Sequence, residues 1–399
     1  MTDLLWPGDE RAGPLMTDAA FLTAMVQVEH AWLRVLVDAG VAPAAAVADL
    51  PRLVSTDDTE ALASAAERDG SPVSGLVELL RQRSGAETAR WVHRGLTTQD
   101  IIDTAMMLCL RDALATVQKQ LASQVRTLAA LVERHPTPML ARTLTQPAVP
   151  STVAAKLANW LSGVLDGADA VGALPRLPAQ VGGAAGTLAA TTELTGSAAS
   201  ALALSGSLAA ALGLASAPPW HTTRSVVTRI GDALVACCDA WAHIANDVAI
   251  GSRPEIGELA EGRGGRSSTM PQKRNPILSV LIRRAALTAP PLAATLHAAS
   301  AASVDERADG GWHAEWATLR TLTRRTVVAA AQMSDLLAGL EINTERAGTN
   351  LAAAGEIRAE QRSMTELTGR AALPAYTGAT DNLVDTALRR AQQYLEDAT

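Results

Sequence analysis

Aromatic residues are scarce: eight Trp, two Tyr and one Phe among 399 residues. Strands favour aromatic and β-branched side chains, so this shortage argues against a sheet architecture. An apolar content of 48%, dominated by Ala and Leu, suits close helix packing instead. Cysteine is nearly missing too. Cys109, Cys237 and Cys238 make no paired framework, and sequence neighbours rarely bridge each other. They read as small buried hydrophobes in a reducing compartment. No Cys/His spacing suggests a structural zinc, and nothing in the pattern calls for a metal or another cofactor. Positive charge is not in excess: a formal net charge of −7 lacks the basic footprint of non-specific nucleic-acid binding. The N-terminus lacks the basic-then-apolar pattern of a signal peptide. The nearest thing to a membrane span, residues 198–217, is rich in Ala, Gly and Ser, and reads as a buried core helix. A soluble cytoplasmic protein without a membrane partner is expected.

Helical periodicity fills most of the chain. Residues 18–39 place Phe21, Met25, Val28, Trp32 and Val35 at helical spacing before Gly40. His30 in this stretch reads as a packing or surface residue. Shorter helices fit residues 57–68 and 72–84. Longer helical patterns cover 99–133, 152–170, 184–214, 224–250, 275–302 and 314–340, separated mainly by Pro-rich turns and one Gly-rich loop. Helices of ~20–35 residues would build a bundle ~30–50 Å long. Faces that are apolar on more than one side are usually covered in an oligomer. The expected fold is all-α in three parts: an N-terminal helical domain over 1–98, a central long-helix bundle over 99–342, and a small helical cap over 343–399.

Chemistry concentrates in Gly262-Arg-Gly-Gly-Arg-Ser-Ser-Thr-Met-Pro-Gln-Lys-Arg-Asn-Pro276. Glycines ahead of Ser267 let a backbone open and close over a ligand. Lys273 and Asn275 offer a cation and an amide, the groups that steady a developing oxyanion. Pro271 and Pro276 stiffen the segment before helix resumes. The plainer reading is a solvated basic loop.

A second cluster is Trp91-Val-His-Arg-Gly-Leu-Thr-Thr-Gln-Asp-Ile-Ile-Asp-Thr104. Thr97 followed three residues later by Asp100 is close to a capping pattern, so Thr97 could simply cap and His93 simply pack. The same helix start, with its free N–H groups and hydroxyls, also suits a carboxylate. A third cluster is Ala141-Arg-Thr-Leu-Thr-Gln-Pro-Ala-Val-Pro-Ser-Thr152, in which Arg142 and Gln146 are either ligand contacts or partners of local carbonyls. A fourth is Glu306-Arg-Ala-Asp-Gly-Gly-Trp-His-Ala-Glu-Trp316, where Trp312, His313 and Trp316 would ordinarily be packing residues.

Taken together, in this order, these segments resemble the fumarase/aspartase superfamily. Ser267-Ser-Thr-Met-Pro-Gln-Lys-Arg-Asn-Pro276 resembles its signature, Gly-Ser-Ser-x-Met-Pro-x-Lys-x-Asn-Pro, with Arg266 standing where Gly is usual, either as a substitution or as a one-residue insertion after Gly264-Gly265. Residues 93–100 resemble its first region, His-x-Gly-x-Thr-Ser-x-Asp, with Thr98 in place of Ser. Residues 142–152 resemble its second, Arg-Thr-His-x-Gln-x-Ala-x-Pro-x-Thr, except that Leu144 replaces a His used for acid/base chemistry. An apolar side chain transfers no proton. Loss of that His, together with the Trp-His-Ala-Glu-Trp segment, resembles the bacterial 3-carboxy-cis,cis-muconate cycloisomerase branch. Pro219-Trp-His-Thr-Thr-Arg224 also matches the family pattern.

The resemblance implies a catalytic set of Ser267, Lys273, Asn275 and His93, with Ser267 moving the proton. It implies substrate contacts from Thr97, Thr98, Gln99, Arg142, Gln146, Arg224 and His313, while His221 reads as structural. It further implies a small polycarboxylate substrate, an aci-carboxylate intermediate, and a homotetramer whose sites draw on several subunits. Rival readings are a lyase releasing fumarate from an adenylosuccinate- or argininosuccinate-like substrate, a secondary-metabolism lyase acting on an unusual succinate, and an inactive helical scaffold. Arg266 beside Ser267 best supports the last.

Overall fold

The structure, a computed structural model, describes residues 3–262, 265–266, 270, 273–307 and 309–397. Ser267, the proton-moving residue of the sequence reading, lies outside the described residues. The helices of the N-terminal part are α1 (Asp18–Asp38), α2 (Thr59–Asp69), α3 (Pro72–Arg83) and α4 (Ala86–Trp91). The bundle follows with α5 (Thr98–Arg134), α6 (Val153–Gly172), α7 (Ala189–Thr195), α8 (Ala198–Ala211), α9 (Ser225–Gly251), α10 (Ile277–Ala301) and α11 (Gly310–Ala338). The C-terminal segment holds α12 (Thr344–Ala353), α13 (Ala359–Thr368) and α14 (Thr380–Asp397). The all-α reading holds, with α5, α6, α9, α10 and α11 as the long rods packed on one another. α14 lies along α6 and α5 rather than standing apart from the bundle.

Three buried tryptophans show how the core is specified. Trp32, Trp160 and Trp241 are each almost fully buried, and each has a partner for its indole N–H. Trp241 Nε1 donates to Gln124 Oε1 at 2.8 Å, and Gln124 Nε2 donates to the carbonyl of Ala330 at 3.0 Å. One polar chain therefore crosses α9, α5 and α11 inside an apolar core, which fixes register as well as burying area. The three cysteines are buried thiols as expected. Burial pushes Cys109 and Cys238 up to about 12, and Cys237 higher still, so none is a nucleophile at neutral pH.

Two expectations need correction. The helix expected across 184–214 is broken: Gly196 sits at φ 69 between α7 and α8, whose axes differ by 107°. The Pro-rich stretch after α5 is an antiparallel hairpin, β1 (Pro138–Thr143) with β2 (Gln146–Thr152), not a simple turn. Shorter ladders pair β3 (Leu259–Glu261) with β6 (Leu340–Ile342), and β4 (Gly265–Arg266) with β5 (Arg274–Asn275). α1, α9 and α10 are long and apolar enough to cross a membrane by length and composition alone. Here they are bundle rods, and the outward apolar groups of α10, Val280 and Leu287 among them, are exposed in the single chain.

Candidate active site at two ends of the bundle

The start of α5 is a closed polar network. Asp100 Oδ2 accepts from the Thr97 and Gly183 backbone N–H groups, and Asp100 Oδ1 accepts from Gly182 N–H. Thr97 caps the helix in a reciprocal box with Asp100, and its hydroxyl also accepts from Arg307 Nη1 at 2.9 Å. The plain capping reading is therefore correct for Thr97. Thr98, half-buried in the first turn, has no side-chain partner among the described residues, so its hydroxyl is the one left for a ligand. Arg307 went unread in the sequence, although it lies inside the fourth cluster. Its guanidinium adds a cation to a helix start that already favours anions.

One turn deeper the network excludes other expected contacts. Arg224 donates to both oxygens of Asp103 at 2.7 and 3.0 Å, and to Glu315 at distances down to 2.6 Å. All three side chains are almost fully buried. Burial works against the Arg224 charge, but Asp103 and then Glu315 outweigh it and hold the guanidinium well above its ordinary value. Burial raises the Glu315 carboxyl, Arg224 opposes that rise, and Asp103 adds to it. Arg224 is thus committed inside the fold and is withdrawn as a substrate contact. The same holds for Gln99, fully buried, whose amide donates to Asp103 and to the His221 carbonyl. His221 is structural as expected, with Nε2 3.0 Å from Asp100. His313 places Nδ1 on the Asp309 carbonyl and Nε2 on the Gly70 carbonyl, both at 3.0 Å, stapling α11 to the α2–α3 turn. A neutral ring donates to only one of these two carbonyls, so one nitrogen of this exposed side chain has no donor role there.

His93 stands apart from these. It adopts φ 64, a left-handed conformation uncommon for a side-chain-bearing residue, and its Nδ1 lies 2.6 Å from Glu29 Oε1. Nε2 has no partner among the described residues.

The signature loop lies elsewhere. Its feet are clamped: Glu261 accepts from the Leu278 and Ser279 N–H groups and from the Ser279 hydroxyl, and Gly262 N–H donates to the Gly339 carbonyl. A Cβ on Gly262 would lie 2.5 Å from that carbonyl, and one on Gly265 would overlap Ile277 Cγ1. These glycines permit close approach at the loop base, a different use from the hinge freedom expected. Between the feet, Lys273 is exposed and Asn275 half-buried, and neither side chain has a partner among the described residues. Arg266 pairs through its backbone with Arg274.

The β1–β2 hairpin shares this end. Arg142 donates both terminal nitrogens to Glu258 at 2.8 and 2.9 Å, just before β3, and Asn350 donates to the same carboxylate. Arg142 is therefore a brace between hairpin and β3, not a free substrate contact. Gln146 is exposed near the tip, with one long contact to the Thr145 hydroxyl at 3.4 Å. Leu144 is 96% exposed at φ 49, beside Thr145 at φ 71.

The two groups of residues are far apart. Trp312 at the start of α11 donates to Asp103, whereas Gly339 at its end accepts from Gly262. At ~1.5 Å per residue, the run of α11 from Trp312 to Gly339 puts ~40 Å between them. One chain carries His93 and Thr98 at one end, and Lys273, Asn275, Leu144 and Gln146 at the other. A cavity of about 400 Å³ between α1, α2, α5 and α11 is lined by apolar groups such as Met25, Met106 and Trp316, and by none of these residues. Among the described residues no His/Cys/Asp/Glu group could hold a metal ion.

Comparisons with known proteins agree with the motifs. A lyase family model matches residues 15–290. The chain is 40% identical over 373 residues to a nitrosuccinate lyase of Streptomyces davaonensis, covering 89% of this chain and 78% of that protein. It is 38% identical over 356 residues to a 3-carboxy-cis,cis-muconate cycloisomerase of Bradyrhizobium diazoefficiens, covering 86% and 77%. The crystal structure of the 3-carboxy-cis,cis-muconate lactonizing enzyme from Pseudomonas putida superposes with a TM-score of 0.83 at 29% identity, covering 95% of this chain and 96% of that one. The chain belongs to the lyase family of the fumarase/aspartase superfamily.

Proposed function

We propose that the protein is a cycloisomerase that lactonises 3-carboxy-cis,cis-muconate to 4-carboxymuconolactone in the cytoplasm, as a homotetramer whose sites are shared between subunits. The observation that carries this reading is Leu144. The second motif delivers an exposed apolar side chain where a proton-transferring His is usual, while the oxyanion groups Lys273 and Asn275 stay free at the same end. Several relatives that share 33–38% of their residues with this chain are 3-carboxy-cis,cis-muconate cycloisomerases.

In this scheme a carboxylate oxygen of the substrate adds across a double bond and closes the lactone ring. The electrons shift onto the carboxylate conjugated with that bond, giving an aci-carboxylate. Lys273, Asn275 and the α5 start with Thr98 and Arg307 oppose its charge, and a proton delivered to the neighbouring carbon completes the step. Ser267 is the proposed proton carrier. Opposite ends of different chains would assemble each site, which fits the ~40 Å that separates them within one.

The test is to mix the protein with 3-carboxy-cis,cis-muconate and follow loss of the conjugated diene by ultraviolet absorbance. Rapid loss, abolished by Ser267→Ala in a folded protein, is expected. A second reading is favoured by the 40% identity to a nitrosuccinate lyase: elimination of a β-substituent from a substituted succinate to leave fumarate. Fumarate released from nitrosuccinate, with no lactonisation, would move the protein to that branch, and release from adenylosuccinate or argininosuccinate would move it to those lyases. Thermal stabilisation by a tricarboxylate without turnover would leave a binding scaffold.

A further inference from the structure

Glu29 has no role in the scheme above, yet its burial needs an explanation. It lies in the middle of α1 between Val28 and Trp32, with essentially no exposed surface. Oε1 meets His93 Nδ1 at 2.6 Å, while Oε2 is buried without a hydrogen-bond partner. A carboxylate placed like this opposes folding unless a nearby group offsets its lost hydration. Arg81 on α3 feels the Glu29 carboxylate electrostatically and is itself partly desolvated.

The neighbourhood holds the ring of His93 rather than merely accommodating it. Arg81 Nη2 donates to the Val92 carbonyl at 2.9 Å, and Trp32 Nε1 donates to the Arg94 carbonyl at 2.7 Å. Gly95 follows at φ 86, where a Cβ would lie 2.7 Å from Thr191 Oγ1. These ties on both sides keep His93 in its left-handed conformation, and such backbone strain persists only where the surroundings over-determine it.

We propose that Glu29 is a positioning residue: it holds the His93 proton on Nδ1 and so presents the Nε2 lone pair to the ligand side of the α5 start. With Glu29 ionised the carboxylate only accepts from the ring, and the proton between them then belongs to Nδ1. In lactonisation the substrate carbon gains a proton: Nε2 takes one from solvent, the charge gained by the ring lies against the buried carboxylate, and the proton passes on towards the substrate by way of the proposed carrier Ser267. In lactone opening the proton leaves that carbon and travels the same way back. The chain lacks the His of the second motif, and this pair places an acid/base group on a different element. The proposal rests on the superfamily reading of the site, but its first test does not need turnover.

That test is nitrogen NMR on histidine-labelled wild-type protein, with His93→Asn assigning the resonance. In the spectrum of the neutral ring a proton at Nδ1 is expected, whereas a neutral ring with its proton at Nε2 overturns the proposal whatever substrate the enzyme takes. Steady-state kinetics follow on the substrate that the wild type turns over. Glu29→Gln is expected to lower kcat about 10–100-fold, since orienting an acid/base group is part of the ~10²–10⁴-fold such groups contribute, with KM within about twofold. In a His93→Asn background the same change should do almost nothing, because Glu29 acts through the ring. Equal losses from Glu29→Gln in both backgrounds, or an unchanged kcat, would overturn it. Should Glu29→Gln fail to fold, the wild-type spectrum alone decides. Should no substrate be turned over, the cycloisomerase reading fails and the spectrum still stands.

Discussion

The two ends of the bundle make opposite use of polar side chains. At the α5 start, Asp100, Asp103, Arg224, Glu315, Gln99 and His221 bond to one another or to backbone, and all are nearly sealed from solvent. At the loop-and-hairpin end, Lys273, Asn275, Gln146 and Leu144 stand outward and commit almost nothing to their own chain. Arg224 and Lys273 look equally suited to a carboxylate in sequence, yet one is a structural strut and the other is free. The difference teaches that a motif match does not say which of its polar groups the fold has already engaged. The α5 start leaves little beyond Thr98 and His93 Nε2 uncommitted, whereas the other end, outside its Arg142 and Glu261 clamps, leaves a cation and two amides so.

The contrast predicts effects of different kinds at each end. The largest concerns Arg224→Ala, which would leave Asp103 and Glu315 as buried carboxylates without their cation and cost ~3–5 kcal/mol of stability. Chemical denaturation would read this, and a loss below ~1 kcal/mol would remove the strut reading. Next is Lys273→Ala, expected to lower kcat ~10²–10³-fold through lost oxyanion stabilisation while stability moves by less than ~0.5 kcal/mol. A large fall in stability would show that Lys273 is engaged after all. The separation of the ends can be tested by co-assembling His93→Asn chains with Lys273→Ala chains. Partial recovery of activity in the mixture is expected, because some sites would then draw each intact end from a different chain. No recovery in properly mixed oligomers would count against shared sites.

Smaller effects sharpen the picture away from the chemistry. Arg324 donates to both carboxylate oxygens of Asp9 at 2.7 Å, fixing the N-terminal segment on α11, and its hydrogen bonding holds the Asp9 carboxyl below the usual range. A depressed carboxylate stabilises the fold above its unfolded value, and that contribution fades as pH falls through the folded one. Asp9→Asn should therefore cost ~2 kcal/mol near neutrality. The gap from wild type should narrow below pH ~4; a gap independent of pH would contradict the assignment. The smallest effect is at the hairpin tip. Leu144→Asn puts a residue tolerant of positive φ where Leu is strained and exposed, and should raise stability by ~0.5 kcal/mol. A concurrent loss of turnover would show that the tip is an active component rather than a mere turn.

Much of this was legible in the sequence, and the misses have physical reasons. The long helices declare themselves because an apolar stripe every three to four residues survives any detail of packing. The hairpin hid behind Pro147 and Pro150, which weaken a strand pattern although both fit a two-stranded edge. The α7–α8 break hid in an Ala- and Ser-rich run with little facial contrast, where one glycine decides the course. Sequence reasoning placed the α5 start and the signature loop but could not divide struts from free groups, since Asp103 and Glu315 find Arg224 from distant segments. Glu29 did leave a signal. It falls on the Met25–Trp32 side of α1, and a carboxylate on an apolar stripe asks for a partner.

The clamped feet of the signature loop have a bearing on Arg266. With Glu261 fixed to Ser279 and Gly262 to Gly339, the fold has already brought the two ends of the segment together. The β4–β5 ladder closes the segment again at Arg266 and Arg274, so lengthening the inner loop of about seven residues by one adds only ~0.1 kcal/mol of closure entropy. An insertion beyond the ladder therefore costs little by closure alone, whereas one between Gly262 and Gly265 would also have to clear the Gly339 carbonyl and Ile277.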